Sequence, residues 1–452
     1  MLTTPGNPLQ GTLTLPGDKS ISHRAALFAA LAEGESRIEN LLVAGVTRVM
    51  LQALADLGIP WELDGTTLTL QGQGFRGLDR PDEPIFLNCG NSGTTLRLLA
   101  GALAALGVPA TLDGSPGLRR RPMKRIVAPL QAMGVPVQAS PENTAPLRLG
   151  ARRAGQRLRA LDYTLSVASA QVKSCLKSCL LLAALDADGP TTLSEPDLSR
   201  DHTERMLRSM GVLLGSFAET RSEPQSTYFV TRIMPPDPPQ LAPLHLAIPG
   251  DISSAAFPIV GALITLGSEI TLEGVGLNPT RTGLLDALRS MGAEIEVTPR
   301  GESHGEPFGD LRVRYVPLRG TQISGPLVVR MIDEFPAFAV AAAYAHGKTT
   351  ISGAEELRHK ESDRISALCN ELHRLDVDVE ETPDGFVIHG GRPVRGGTVK
   401  SHGDHRLAMA LSVAGLASQS PVLVQGAEIV SESFPSFTDK LKSLGADIKS
   451  ET

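Results

Sequence analysis

Carboxylates set among cations are the part of this chain that could do chemistry. "RHKESDR" at 358–364 holds Glu361 between Lys360 and Arg364, "IDEFP" puts Asp333 at the head of an apolar stretch, and "GDHRLAMA" presents Asp404, His405 and Arg406 together. A carboxylate pressed between two cations in a loop is fixed in place, which suits moving a proton to or from a bound molecule. Asp333 admits two readings, helix cap or acid/base, because Asp caps well and "EFP" follows it. Asp18, Asp251 and Asp404 also precede apolar stretches and read first as caps.

The surrounding cations point to an anionic ligand. Lys19, Arg24, Arg97, Lys173 and Arg406 all lie at or near the polar starts of apolar stretches. A helix start carries unpaired N–H groups and roughly half a positive charge, so several starts aimed at one cleft would form an anion trap. In "GLRRRPMKR" at 117–125 the proline after Arg121 restricts the backbone there and favours a fixed guanidinium. "RRAGQRLR" at 152–159 reads instead as a solvated face. His402, Asp404 and His405 are closely spaced but have no second ligand cluster, so no metal is expected. "GNSGTT" lacks the P-loop lysine and no dinucleotide fingerprint is present, so no nucleotide cofactor is expected.

A repeated unit must position these groups. Six stretches start at Asp18, Asn91, Val167, Asp251, Asp333 and Asp404, each opening polar, running through Ala/Leu-rich sequence and closing at a breaker. Such intervals mark repeats of one supersecondary unit. A short β-like run follows each, then an amphipathic helix ending as in "LADLGIPWEL" and "LRSMGAEIEV", a Gly-capped end turning into a strand. The fifth copy has Asp376 where the others have Gly. The first helix of each unit is apolar nearly all round and should be buried, whereas the second should lie half exposed. "LPGD" at 15–18 and "IPGD" at 248–251 are near-copies, and they read as two crossings between bodies. The expected organisation is a discontinuous domain of 1–17 with 249–452, completed by the N-terminal strand "GTLTLPG", and an inserted domain of 18–248. Each would hold three repeats, with the active site in the cleft between them.

At 452 residues the chain is long enough for two cores. A net charge of −6 and only 4% aromatic residues argue against nucleic-acid binding, which uses basic grooves and stacked rings. No apolar run reaches membrane-spanning length. Four irregularly spaced cysteines suit core packing in a reducing compartment, so a cytoplasmic location is expected.

With "LPGDKSISHR", "GNSGTTLRLL", "DGSPGLRRRPM", "SVASAQVKS", "IDEFP", "HKESDRI" and "GDHRLAMA" in this order, the chain resembles the EPSP synthases, the 3-phosphoshikimate 1-carboxyvinyltransferases of the enolpyruvyl transferase family. The resemblance covers nearly the whole chain. It implies an α/β fold of two domains and six βαβαββ repeats around buried parallel helices. It also implies transfer of the enolpyruvyl group of phosphoenolpyruvate to the 5-hydroxyl of 3-phosphoshikimate, releasing phosphate through a tetrahedral adduct, in the shikimate pathway to aromatic amino acids. Carried over by motif, Lys19, Ser20, Arg24, Ser169, Ala170, Gln171, Arg200, Asp333 and Lys360 resemble 3-phosphoshikimate contacts. Lys19, Gly93, Arg121, Gln171, Arg364 and Arg406 resemble phosphoenolpyruvate contacts. Asp333 and Glu361 resemble the acid/base pair, assisted by Lys19 or His405. The two small-molecule substrates would be the only partners of a monomer without cofactor, and Gly93 implies sensitivity to the inhibitor glyphosate. Two positions depart from the family. Glu432 stands where many members have a lysine, with Lys440 a candidate replacement, and Arg200 stands in for an aromatic substrate contact. The sister enzyme acting on UDP-N-acetylglucosamine would need a cysteine near 110–120, where there is none, and a pure anion binder would not need Asp333 and Glu361.

Overall fold

The computed structural model describes residues 1–75, 77, 83–153, 155–165, 170–222 and 225–450. The six apolar stretches are helices: α1 (Lys19–Leu31), α2 (Gly93–Leu106), α3 (Ala170–Ala184), α4 (Ile252–Ile264), α5 (Phe335–Tyr344) and α6 (His405–Ala414). Ala and Leu favour the helix, and the lack of a polar face forces it inside. Every residue of α4 and α6 is buried, and α5 exposes only its final Tyr344 in part.

Six four-stranded sheets accompany these helices among the described residues. In each, a parallel pair of strands is followed by an antiparallel neighbour. One repeat shows the plan: strand Ile85–Asn88, helix α2, the parallel strand Ala110–Asp113, helix Lys124–Ala132, then Val137–Gln138 and Leu147–Leu149. The parallel pair needs a crossover, and the buried helix is that crossover. The N-terminus does more than the single strand expected of it. Gln10–Thr14 runs parallel to Glu269–Gly276, while Leu2–Thr4 pairs with both Val422–Gln425 and Asp447–Lys449.

The second helices have the expected two faces. Gly283–Ser290 buries Leu284, Leu285, Ala287 and Leu288 and leaves Asp286 and Arg289 partly in solvent. Each such helix ends in a left-handed residue: Gly58, Gly134, Gly211, Gly292 and Gly445 have φ between 79° and 100°, and Asp376 has φ 65°. Asp tolerates this region better than most side chains, so the fifth copy keeps the turn without glycine.

The chain divides into two compact units. One comprises Met1–Asp18, Pro249–Glu302 and Glu306–Thr452 and contains α4, α5 and α6; the other comprises Lys19–Ile248 with Ser303–Gly305 and contains α1, α2 and α3. The second unit packs α2 closely on α3. A Cβ added to Gly101 would lie 2.2 Å from the Cys179 carbonyl oxygen, so only glycine permits this approach.

Within the first unit the two Pro-Gly-Asp segments lie side by side. Gly17 and Gly250 form an antiparallel bridge, Asp18 N–H donates to Pro249 O at 2.9 Å, and Asp251 N–H donates to Pro16 O at 2.9 Å. The pairing brings two buried carboxylates to one guanidinium, with Arg281 3.7 Å from both Asp18 and Asp251. Burial, and then the charge of Asp18, push the Asp251 carboxyl up from 3.8 to about 6, against the pull of Arg281. The folded chain therefore holds this proton more tightly than the unfolded chain, and stability falls as pH rises from about 4 to about 6 through this group. Asp251→Asn keeps an oxygen to accept the Ser253 N–H and is expected to remove on the order of 1–3 kcal/mol of that pH dependence. Denaturant titrations of both proteins at pH 4 and 7 measure the difference, and equal slopes would refute the assignment.

Candidate active site

Asp333 sits in the turn before α5 and is not its cap. Glu334 occupies the N-cap position and makes no side-chain capping bond. Phe335, fully buried and edge-on to Phe338 and Phe386, anchors the start of α5 behind this turn. The Asp333 carboxylate meets three cations, at 3.6 Å from Lys360 Nζ, 3.4 Å from Arg364 Nη1 and 3.8 Å from Arg406 Nη2. Arg406 also donates to the Asp333 carbonyl oxygen at 3.0 Å.

Arg364 organises this cluster. It donates at 2.7 Å to both Asp404 and Glu361, so its fork is committed to those two carboxylates and reaches Asp333 only at longer range. Burial alone would raise the Asp404 carboxyl, but the Arg364 guanidinium holds it below its ordinary value. Asp404 is also the N-cap of α6, accepting the Arg406 N–H at 2.9 Å, so the cap and ion-pair roles coincide in one residue. His405 is the first residue of α6 and is buried beside it. Burial pushes the Lys360 ammonium below its ordinary range; Asp333 opposes that shift and Arg364 adds to it. Glu361 keeps about a fifth of its side chain exposed, at 19%, which leaves it open to a ligand while Arg364 fixes it. The first unit thus brings Asp333, Lys360, Glu361, Arg364, His405 and Arg406 together around one turn and two helix starts.

The second unit carries Lys19, Ser20 and Gly93 at helix starts, Arg24 one turn into α1, and Arg121 at the end of the short helix Leu118–Arg120. Lys19 and Ser20 open α1. Arg24, one turn further in and fully buried, donates to Ser20 O at 2.9 Å, Thr203 Oγ1 at 2.8 Å and Ser178 Oγ at 2.8 Å. Ser92 caps α2 by accepting the Thr95 N–H at 3.1 Å. Directly after it, a Cβ added to Gly93 would lie 3.0 Å from Arg97 Nη1 and 3.2 Å from Arg121 Nη1, so two guanidiniums converge on this glycine. The three arginines of "LRRRPM" have separate fates. Arg119 folds back on Asp113 at 2.9 Å and 2.5 Å, Arg120 is exposed, and only Arg121 turns to Gly93. Arg200 is buried just before helix His202–Ser209. Ser169 lies outside the described residues, as do the side chains of Ala170 and Gln171, which begin α3.

Several participants escaped sequence reading. Arg281 is buried among Asp18, Asp251 and Glu334 and donates to Ser253 at 2.6 Å. Lys177 is buried 2.7 Å from Glu195 and 2.6 Å from Glu204, the helix neighbour of Thr203. Lys177 and Ser178 follow the "ASAQVKS" motif on α3, and helical periodicity alone does not reveal which residues they meet. Lys440, expected as a replacement for the family lysine, lies on the outer helix Phe437–Ser443 and reaches Thr14 at 3.4 Å, not the Asp333 cluster. All four cysteines are free and buried, and burial pushes the Cys89 thiol up to about 12, which makes that residue a poor nucleophile. Among the described residues no three His, Cys, Asp or Glu side chains are placed to hold a metal ion, and no helix is long and apolar enough to cross a membrane.

Comparison with known proteins places this geometry. The family model described as EPSP synthase (3-phosphoshikimate 1-carboxyvinyltransferase) matches residues 3–441. Proteins named 3-phosphoshikimate 1-carboxyvinyltransferase are similar along almost the whole chain. That of Desulforudis audaxviator is 46% identical over 443 residues, covering 98% of each chain, and that of Xylella fastidiosa is 48% identical over 441 residues, covering 97% of this chain and 92% of its own. The solved EPSP synthase of Acinetobacter baumannii superposes with a TM-score of 0.84 at 38% identity, covering 99% of both chains. The enolpyruvyl transferase NikO of Streptomyces tendae, at 22% identity and a TM-score of 0.78, shares the fold. Together the near-complete family match and the close relatives make this chain a member of the EPSP synthase (3-phosphoshikimate 1-carboxyvinyltransferase) family.

Proposed function

We propose that this protein transfers the enolpyruvyl group of phosphoenolpyruvate to the 5-hydroxyl of 3-phosphoshikimate and releases phosphate. The observation that carries the reading is the Asp333 carboxylate held among Lys360, Arg364 and Arg406 beside a partly exposed Glu361. A site built only to bind anions has no use for two carboxylates among its cations, whereas this reaction needs a proton removed at oxygen and another moved at carbon.

In the first half-reaction a proton adds to C3 of phosphoenolpyruvate, C2 becomes electrophilic, and the 5-hydroxyl oxygen bonds to C2 as its own proton leaves. Asp333 takes that hydroxyl proton. Glu361, oriented by Arg364, supplies the C3 proton and recovers it when the tetrahedral adduct expels phosphate by C–O cleavage, with Lys19 or His405 assisting. Lys19, Gly93, Arg121, Gln171, Arg364 and Arg406 hold phosphoenolpyruvate, its charges met by the guanidiniums. Lys19, Ser20, Arg24, Ser169, Ala170, Gln171, Arg200, Asp333 and Lys360 hold 3-phosphoshikimate. Arg24 donates to Ser20 O, Thr203 and Ser178 within the protein, and these partners fix the orientation in which its guanidinium meets 3-phosphoshikimate. The close space above Gly93 supports glyphosate sensitivity, because a methyl there would crowd Arg97 and Arg121 and any small anion between them. A single chain working in the cytoplasm completes the proposal, and the four free, buried cysteines support that location.

The test is to mix purified protein with phosphoenolpyruvate and 3-phosphoshikimate. Release of one phosphate per enolpyruvyl ether formed, and none with either substrate alone, is the expected result. Tight binding of both substrates without release of phosphate would leave a binder and overturn the enzyme reading.

A further inference from the structure

The arginine run at 152–159 is only in part the solvated face its composition suggests: Arg153, Gln156 and Arg159 are exposed, but Arg152 turns inward. The Arg152 side chain is only 5% exposed, donating at 2.7 Å to Ala105 O at the end of α2 and at 2.6 Å to Asp186 just beyond α3. It lines a cavity of about 270 Å³ in the second unit, together with Arg153, Gln156, Arg157, Asp237 and Phe75. None of these residues belongs to the candidate active site.

Three buried guanidinium nitrogens here, Arg152 Nε and Arg157 Nε and Nη2, have no hydrogen-bond acceptor among the described residues. Buried donors without acceptors are costly and uncommon in folded proteins, and clustering at one cavity points to an acceptor that enters from outside. The local charge agrees. Arg152 is neutralised by Asp186, but Arg157 approaches Asp237 only at 3.6 Å, beyond hydrogen-bond range, and the Asp237 side chain is 81% exposed. Arg153 has no ion-pair partner among the described residues. A carboxylate so exposed swings aside at little cost, and an entering oxyanion takes its place on a fork suited to two parallel N–H···O bonds.

We propose that this cavity is a second anion site, which takes a small molecule bearing a phosphate or carboxylate group on Arg153 and Arg157 with Arg152 behind them. Inorganic pyrophosphate and citrate are the two probes, and the one effective at the lower concentration identifies the favoured group. Hydrogen exchange of the whole protein is expected to slow in peptides covering Arg152, Arg153, Gln156 and Arg157 when the favoured probe is added. In Arg153→Gln/Arg157→Gln the midpoint of that protection should shift at least tenfold upward, while protection at Lys19 to Arg24 by the same probe is retained. That retained signal also reports that the variant is folded. Protection confined to the helix starts in the wild-type protein, with neither probe slowing exchange at the arginines, overturns the proposal. So does arginine protection that survives undiminished in the double variant.

Discussion

Asp333→Asn is expected to lower turnover by roughly 10²-fold or more, the range for loss of a positioned general base, while 3-phosphoshikimate still binds. The structure makes this a clean test. Asp333 caps nothing, since Glu334 holds the N-cap position of α5, so the amide removes proton-accepting power without removing a helix cap. The isosteric change also keeps the buried volume beside Lys360, Arg364 and Arg406. Steady-state kinetics with both substrates and a direct binding measurement for 3-phosphoshikimate separate catalysis from affinity. Turnover within threefold or so of the parent would remove Asp333 from the reaction and leave it as a counter-charge for the three cations.

Arg364→Met should cost about 3–5 kcal/mol of stability, the range for breaking a buried ion pair by removing one partner. Arg364 is 1% exposed and is the nearest cation to Asp404, which is itself completely buried. Without it Asp404 must either stay charged in a poor environment or take up a proton. The depressed Asp404 carboxyl adds a pH signature. Because its folded pKa lies below the unfolded one, its contribution in the parent is complete above the unfolded value and is lost as pH falls through the folded value. The variant should lack that acid-side loss, and Asp404→Asn in the Arg364→Met background should recover part of the stability. Denaturant midpoints across pH 3 to 7 measure both effects. A variant as stable as the parent at neutral pH would show that the Asp404 charge is met by other groups.

The same two residues show how far the sequence could be read. Asp404 was visible as a charged group at a helix start, because an apolar stretch with Ala/Leu periodicity marks that helix, whereas Glu361 and Arg364 were visible only as loop charges, and the fold shows Arg364 opening the helix Arg364–Arg374. That Asp404 is a cap was legible too, since capping is a contact between residues two apart. That Arg364 grips Asp404 was not, because the partners are 40 residues apart and belong to different repeats. The reading of Asp333 as cap or base stayed open for a related reason. A cap is defined by one residue of helix phase, and the phase was set by where Phe335 packs against Phe386 from a distant strand.

Local pattern was enough for the repeat, the buried and half-exposed helices and the left-handed helix ends. Each depends on contacts within a few residues or on which side chains avoid water, and both are written in composition and period. The asparagine-like role of Asp376 at φ 65° follows from the same repeat. Tertiary structure decided the charge partners. Arg281 has nothing around it in sequence to suggest Asp18 and Asp251, yet two adjacent crossing segments deliver both to it. Arg152 sits in a run that composition assigns to solvent, but a carbonyl from the end of α2 and a carboxylate from beyond α3 draw it inside. A buried charge is tolerated only where folding brings it a partner, and that partner is chosen by how repeats pack, so the identity of each pair emerges only when the chain is closed.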